Sequence, residues 1–181
     1  LQGVFVVLIG DLGSYHTAFD LDAFRGFSLA DDKAPFIVIN DRDAHAAWSF
    51  TLIHELCHIL LGQTGISNSN SERAIERYCD RVAGQVLLPK EEIQDLVLPP
   101  ATEYEELREM ISRFAFSKNV SSTMVAFKLL ESSRIDFNIW SKLSKDYKAF
   151  WLKSREQKKE KNKQKKGGPD PYVVKRHRMG K

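Results

Sequence analysis

Apolar positions are gathered into short runs at the start of the chain and into longer, helically spaced stretches from residue 44 onward. Residues 3–9 (GVFVVLI) form a continuous, β-branched run closed by Gly10, which predicts a buried strand. The polar stretch 11–22 predicts a loop. Residues 24–29 and 36–40 are two short apolar runs around residues 30–35, and they predict two antiparallel strands with a connecting loop. A small sheet is thus expected ahead of the first helix.

That helix should be capped by Asp41 or Asp43, run through Ala44 and Trp48 to Leu61, and stop at Gly62. It is apolar nearly all round, which predicts a central place in its domain. After a Gly/Ser/Asn loop, Ser69 and Glu72 have the spacing of a capping box, and a second helix should run to about Leu87 before Pro89. Its predicted inward face is Ile75, Tyr78, Cys79, Val82, Ala83, Val86 and Leu87, with Arg73, Arg77 and Arg81 on the polar side. Residues 104–116 and 121–132 predict two more helices with a turn around 117–119. Residues 136–151 continue at helical spacing through Phe137, Trp140, Leu143, Tyr147 and Phe150. Strands followed by helices give an α+β class. The expected organisation is a core over 1–100, a helical appendage over 101–152 and a basic C-terminal segment over 153–181.

Composition narrows the class only modestly. No apolar run approaches the roughly 18 residues of a membrane span, and no basic region leads into an apolar segment and cleavage site. A cytoplasmic protein with no membrane partner is expected. The first residue is Leu1, not Met, consistent with a fragment of a longer chain. The two cysteines, Cys57 and Cys79, fall in predicted helices outside any C-x-x-C pair, so neither a disulfide framework nor a zinc knuckle is indicated. The net charge of +3 hides an uneven distribution, because residues 153–166 carry eight basic and two acidic side chains. That stretch reads as a solvated helix extension or a disordered segment. It could meet nucleic acid through phosphates, but it has no aromatic residue on which bases could stack.

The chemistry gathers at His54-Glu55-Leu56-Cys57-His58. On a helix, two histidines four residues apart lie on one face and can reach a single metal ion. Glu55 is offset by about 100°, so it can flank the ion without binding it and serve as general base toward water. The pattern points to amide hydrolysis. The competing reading is an ordinary buried helix with two hydrogen-bonded histidines. Against it stands the cost of burying ionisable groups without a partner or metal.

Zinc held by His54 and His58 needs a further protein ligand and an open position. Glu76, eighteen residues after His58, is the best candidate, since helical phase places it between Ala83 and Leu87. Asp80, one turn on, is suited to accept the N–H of a ligand imidazole and so fix its tautomer. The alternative is a partly solvated helix edge with surface salt bridges. For the oxyanion, Tyr15, His16, His45 and Tyr78 are candidates, and the metal itself can suffice.

Taken with residues 24–29 (FRGFSL), 34–40 (APFIVIN), 50–58 (FTLIHELCH), 76–83 (ERYCDRVA) and 87–89 (LLP), the sequence resembles the ImmA/IrrE family of metallopeptidases. It is most similar to members in which this domain follows a regulator-type DNA-binding domain. The resemblance implies a zincin-like fold, with a small sheet, an active-site helix and a glutamate from a following helix as third ligand. It also implies a protein substrate, a transcriptional repressor of a mobile-element, stress or toxin–antitoxin circuit. Small residues are common in the family where Cys57 and Cys79 stand, so a thiol near the site could make activity redox-sensitive, with packing as the other explanation. Residues 116–135 resemble the helix-turn-helix-like segment that follows the peptidase core. Few basic residues lie on its would-be recognition helix, so a helical pair that packs on the domain without touching DNA is the competing reading.

The leading expectation is a zinc-dependent endopeptidase in which His54, His58 and Glu76 hold the metal and Glu55 is the base. Its substrate would add to the exposed edge of the strand at 36–40. The alternative is a non-catalytic regulator or antitoxin-like module that binds DNA or a partner regulator, with a structural or vestigial metal site.

Overall fold

A computed structural model describes residues 3–10, 19, 21, 24–63, 70–99 and 102–164. They form a mixed three-stranded sheet and six helices, an α+β arrangement. One compact unit ends at Leu87 and a second begins at Leu88.

In the first unit, β1 (Phe5–Leu8), β2 (Gly26–Leu29) and β3 (Phe36–Ile39) lie in the order β1-β3-β2. β3 pairs parallel with β1, Phe5 opposite Phe36, and antiparallel with β2, Ser28 opposite Ile37. This corrects the expectation of an exposed edge on residues 36–40. β3 is the central strand, with Ile37, Val38 and Ile39 all buried, as a continuous apolar run covered on both faces should be. β1 is likewise not the buried strand its composition suggested. Among the described residues it has a single neighbour, and Phe5 remains 56% exposed even as its ring stacks on Phe36 at 5.0 Å. An apolar run alone cannot distinguish a sheet's edge from its centre.

Helix α1 (His45–Leu60) packs against β2, β3 and α2 (Asn70–Leu87), so the expected central helix is found. Its N-cap is Ala44, with no side-chain cap. Neither Asp41 nor Asp43 takes that position: Asp43 Oδ1 accepts the N–H of Ala44, and Oδ2 lies 3.7 Å from the Arg25 guanidinium. The entry to α1 is fixed instead by Asn40, fully buried, whose amide donates to the Phe24 carbonyl and whose Oδ1 accepts the Arg42 N–H. At the other end Gly62 adopts φ +66°, and the Gln63 N–H returns to the His58 carbonyl, a left-handed C-terminal stop as expected.

α2 ends at Leu87 as predicted, but its inward face is narrower than the periodicity suggested. Cys79 and Ala83 are fully buried, whereas Tyr78 and Val86 are exposed, Val86 to 60%. Small side chains at these two inward positions, one turn apart, allow close approach to α1. The expected Ser69–Glu72 capping box, the 11–18 loop with Tyr15 and His16, and residues 165–181 lie outside the described residues or side chains.

The second unit contains α3 (Lys90–Gln94), α4 (Tyr104–Ser117), α5 (Ser122–Glu131) and α6 (Phe137–Gln164). α4 and α5 match the two helices read from the pattern. Ser121 caps α5 by accepting the Met124 N–H, and Ile111, Val125, Leu129 and Leu143 are fully buried. The Arg134 guanidinium donates to the carbonyls of Ile93 and Leu96, tying the α5–α6 turn to the end of α3. α6 extends through the basic stretch as far as Gln164, so up to that residue the helix-extension reading describes it.

Candidate metal centre

His54 and His58 are one turn apart on α1, and their Nε2 atoms stand 3.1 Å from each other. Both rings are largely out of solvent, with His58 the more deeply buried. From α2, Glu76 reaches across with both carboxylate oxygens: Oε2 is 3.2 Å from His54 Nε2, and Oε1 is 3.2 Å from His58 Nε2. One turn further along α2, Asp80 Oδ1 lies 3.0 Å from Nδ1 of His54. At that distance the carboxylate attracts the ring N–H and favours the protonated imidazole. His58 Nδ1 is buried without a partner among the described residues.

This donor set fits a metal ion. Neutral imidazoles and a carboxylate present lone pairs, and three lone-pair groups aimed at one point repel unless a cation or protons lie between them. Two donors bound at 2.0–2.1 Å to a tetrahedral ion stand roughly 3.3 Å apart. The Nε2–Nε2 separation of 3.1 Å is near that edge length, and each of these nitrogens has a Glu76 oxygen at 3.2 Å, Oε2 beside His54 and Oε1 beside His58. Among the described residues, His54, His58 and Glu76 are the group whose ligand atoms converge in this way. Asp80 faces the far nitrogen of His54 and does not join them.

The electrostatics of the site point the same way. Burial acts to lower the His54 pKa, but the carboxylates of Asp80, Glu55 and Glu76 outweigh it and hold the imidazole above its ordinary value. The group therefore attracts positive charge. Behind it, Cys57 and Cys79 are both buried and free. Burial, and then the neighbouring Cys57 thiol, push the Cys79 thiol up to about 12. A thiol so far from ionising is a packing group, which favours packing over redox chemistry at Cys79.

Glu55 is directed differently from the histidines. It is 9% exposed, faces the sheet, and its Oε2 accepts a 2.8 Å hydrogen bond from Ser28 Oγ on β2. Ser28 is a site residue that the sequence reading passed over as part of a family segment. The available signal was a pair of small residues, Gly26 and Ser28, on one face of a strand, which marks close approach by another element. Of the oxyanion candidates, His45 sits at the first residue of α1, its ring tilted against Trp48 and nine residues before His54, about 13 Å along the axis. Tyr78 is exposed on α2. Neither joins the cluster.

A family model described as the IrrE N-terminal-like domain, Peptidase_M78, matches residues 6–130. The match takes in the sheet apart from Phe5, then α1 to α4 and nearly all of α5. No curated protein gave a sequence match.

Proposed function

The chain belongs to the IrrE N-terminal-like family, Peptidase_M78, and so carries a metallopeptidase-type domain; on that premise we propose that it is a zinc-dependent endopeptidase that cuts a protein partner. The observation that carries this reading is the meeting of His54 and His58 Nε2, 3.1 Å apart, with a Glu76 carboxylate oxygen 3.2 Å from each, and the buried Glu55 beside the histidines on α1.

In this reading the imidazoles of His54 and His58 and the carboxylate of Glu76 hold the ion, and Asp80 orients His54 from behind. When bound, the metal supplies Lewis acidity, which brings the pKa of water down towards roughly 7. Glu55 takes the proton of the attacking water on a carboxylate oxygen and delivers it to the leaving amine nitrogen. An imidazole–carboxylate donor set suits zinc. Of the two expected outcomes for the metal, three converging donors with Asp80 turned aside favour a catalytic site over a closed four-ligand one.

The substrate would lie as an extended segment along the edge of β2 that no strand claims among the described residues, the strand that pairs with β3 on its other side and carries Ser28 against Glu55. The resemblance to the ImmA/IrrE family supplies the substrate class, a transcriptional repressor. DNA contact through the helical pair has less support. The one basic residue of α5, Lys128, is nearly buried and ion-paired with Glu131.

The test is a Glu55→Gln variant assayed beside the wild type for zinc content and for cleavage of the partner it captures. Normal zinc with cleavage abolished is expected. A variant that binds zinc normally and cleaves at the wild-type rate would rule out Glu55 as the base, and with it this mechanism.

A further inference from the structure

Glu55 is buried on the face of α1 that meets the sheet, and the last torsion of a glutamate is intrinsically broad, with its two oxygens exchanging roles. A base that must present one chosen oxygen to water needs that torsion fixed. The group positioned to do so is Ser28, 4% exposed, 27 residues away in sequence and on a different element. An ionised carboxylate can only accept hydrogen bonds, so the serine hydroxyl donates, and it does so to Oε2 at 2.8 Å.

The backbone is arranged to permit this contact. A Cβ on Gly26, two residues earlier on the same face of β2, would fall 2.3 Å from Thr51 Cγ2, 3.0 Å from the Val38 carbonyl oxygen and 3.5 Å from Glu55 Cγ. Thr51 is one turn before Glu55 on α1. Only a residue without a side chain lets β2 pass so close beneath this turn, and that approach carries the short serine side chain to the carboxylate.

We propose that Ser28 is the positioning residue for Glu55: its hydroxyl binds Oε2, fixes the plane of the carboxylate and leaves Oε1 as the oxygen that meets water. The role rests on the assignment of Glu55 as base made above. The Ser28 hydroxyl is turned to Glu55, whereas a segment added to β2 would pair with the strand's backbone, so removing the hydroxyl should lower kcat while KM and zinc affinity stay at wild-type values.

The experiment compares zinc-loaded wild type, Ser28→Ala, Ser28→Thr and Glu55→Gln on a quenched-fluorescence peptide library. It adds zinc affinity and the 13C relaxation order of the Glu55 γ-methylene. Ser28→Ala is expected to lose on the order of 10–100-fold in kcat, with KM and zinc affinity unchanged and Glu55 order reduced. Ser28→Thr, which keeps a hydroxyl on the same Cβ, is expected to recover most of the rate and the order. Unchanged Glu55 order in Ser28→Ala overturns the inference whatever the activity. So does an unchanged kcat in Ser28→Ala when Glu55→Gln is inactive. If Glu55→Gln cleaves as well as the wild type, the peptidase reading itself fails, and the catalytic part of Ser28 fails with it.

Discussion

Asp80 Oδ1 stands 3.0 Å from Nδ1 of His54, on the opposite edge of the ring from the nitrogen that faces Glu76. The carboxylate thus biases the imidazole tautomer, placing the proton on Nδ1 and the lone pair of Nε2 toward the cluster. In Asp80→Asn this bias is weakened while the side-chain shape is kept. Zinc affinity measured by competition with a chromophoric chelator should fall on the order of 10–100-fold. An affinity equal to that of the wild type would show that Asp80 is only a surface carboxylate on α2.

The close passage of β2 beneath α1 gives a second expectation. Gly26→Ala places a methyl 2.3 Å from Thr51 Cγ2 and 3.0 Å from the Val38 carbonyl oxygen, a backbone atom of the neighbouring strand that cannot move aside as a side chain can. Overpacking of this kind costs about 1–3 kcal/mol, to be read from urea unfolding. Combining it with Thr51→Ala should return part of that loss. A Gly26→Ala protein as stable as the wild type would mean that β2 and α1 are not held this close.

For the thiols, the expectation concerns pH. Cys79 is fully buried, and its pKa is raised from 9.0 to about 12 by burial and by the Cys57 thiol. A raised folded-state value means that the thiol contributes stability below 9.0 and that this contribution is lost as pH climbs from 9.0 through about 12, because the unfolded chain ionises first. At pH 8 iodoacetamide should therefore leave Cys79 unmodified in the folded protein and modify it in urea, as mass spectrometry of the peptides would reveal. Rapid modification of Cys79 without denaturant would contradict its burial.

The parts of the site that lie on helices were legible in the sequence, because a helix fixes the relative direction of residues by local geometry alone. Four-residue spacing put His54 over His58 and Glu76 over Asp80, and the apolar stripe of α2 was enough to aim its carboxylates at the side of the helix facing α1. What depends on distant segments was not legible. The composition of residues 36–39 could not say that strands on both sides would claim their edges, nor that residues 5–8 would be left half-covered. Asp43 has the chemistry of an N-cap, yet it turns to Ala44 and Arg25 because Asn40 already sets the entry to α1. Tyr78 and Val86 fit the inward periodicity of α2 but fall at the margins of its buried stripe and remain exposed. Ser28 was invisible for the same reason, since its partner lies 27 residues away across a strand–helix contact.

The most direct test of the account is zinc titration of the metal-free wild type and of Glu76→Gln by calorimetry, because Glu76 is the ligand that only the α1–α2 packing can supply. The wild type is expected to bind one zinc per chain, and Glu76→Gln to bind it at least about 10-fold more weakly while keeping its helical circular-dichroism spectrum. Equal affinity in the two proteins would contradict the claim that His54, His58 and Glu76 hold one ion together.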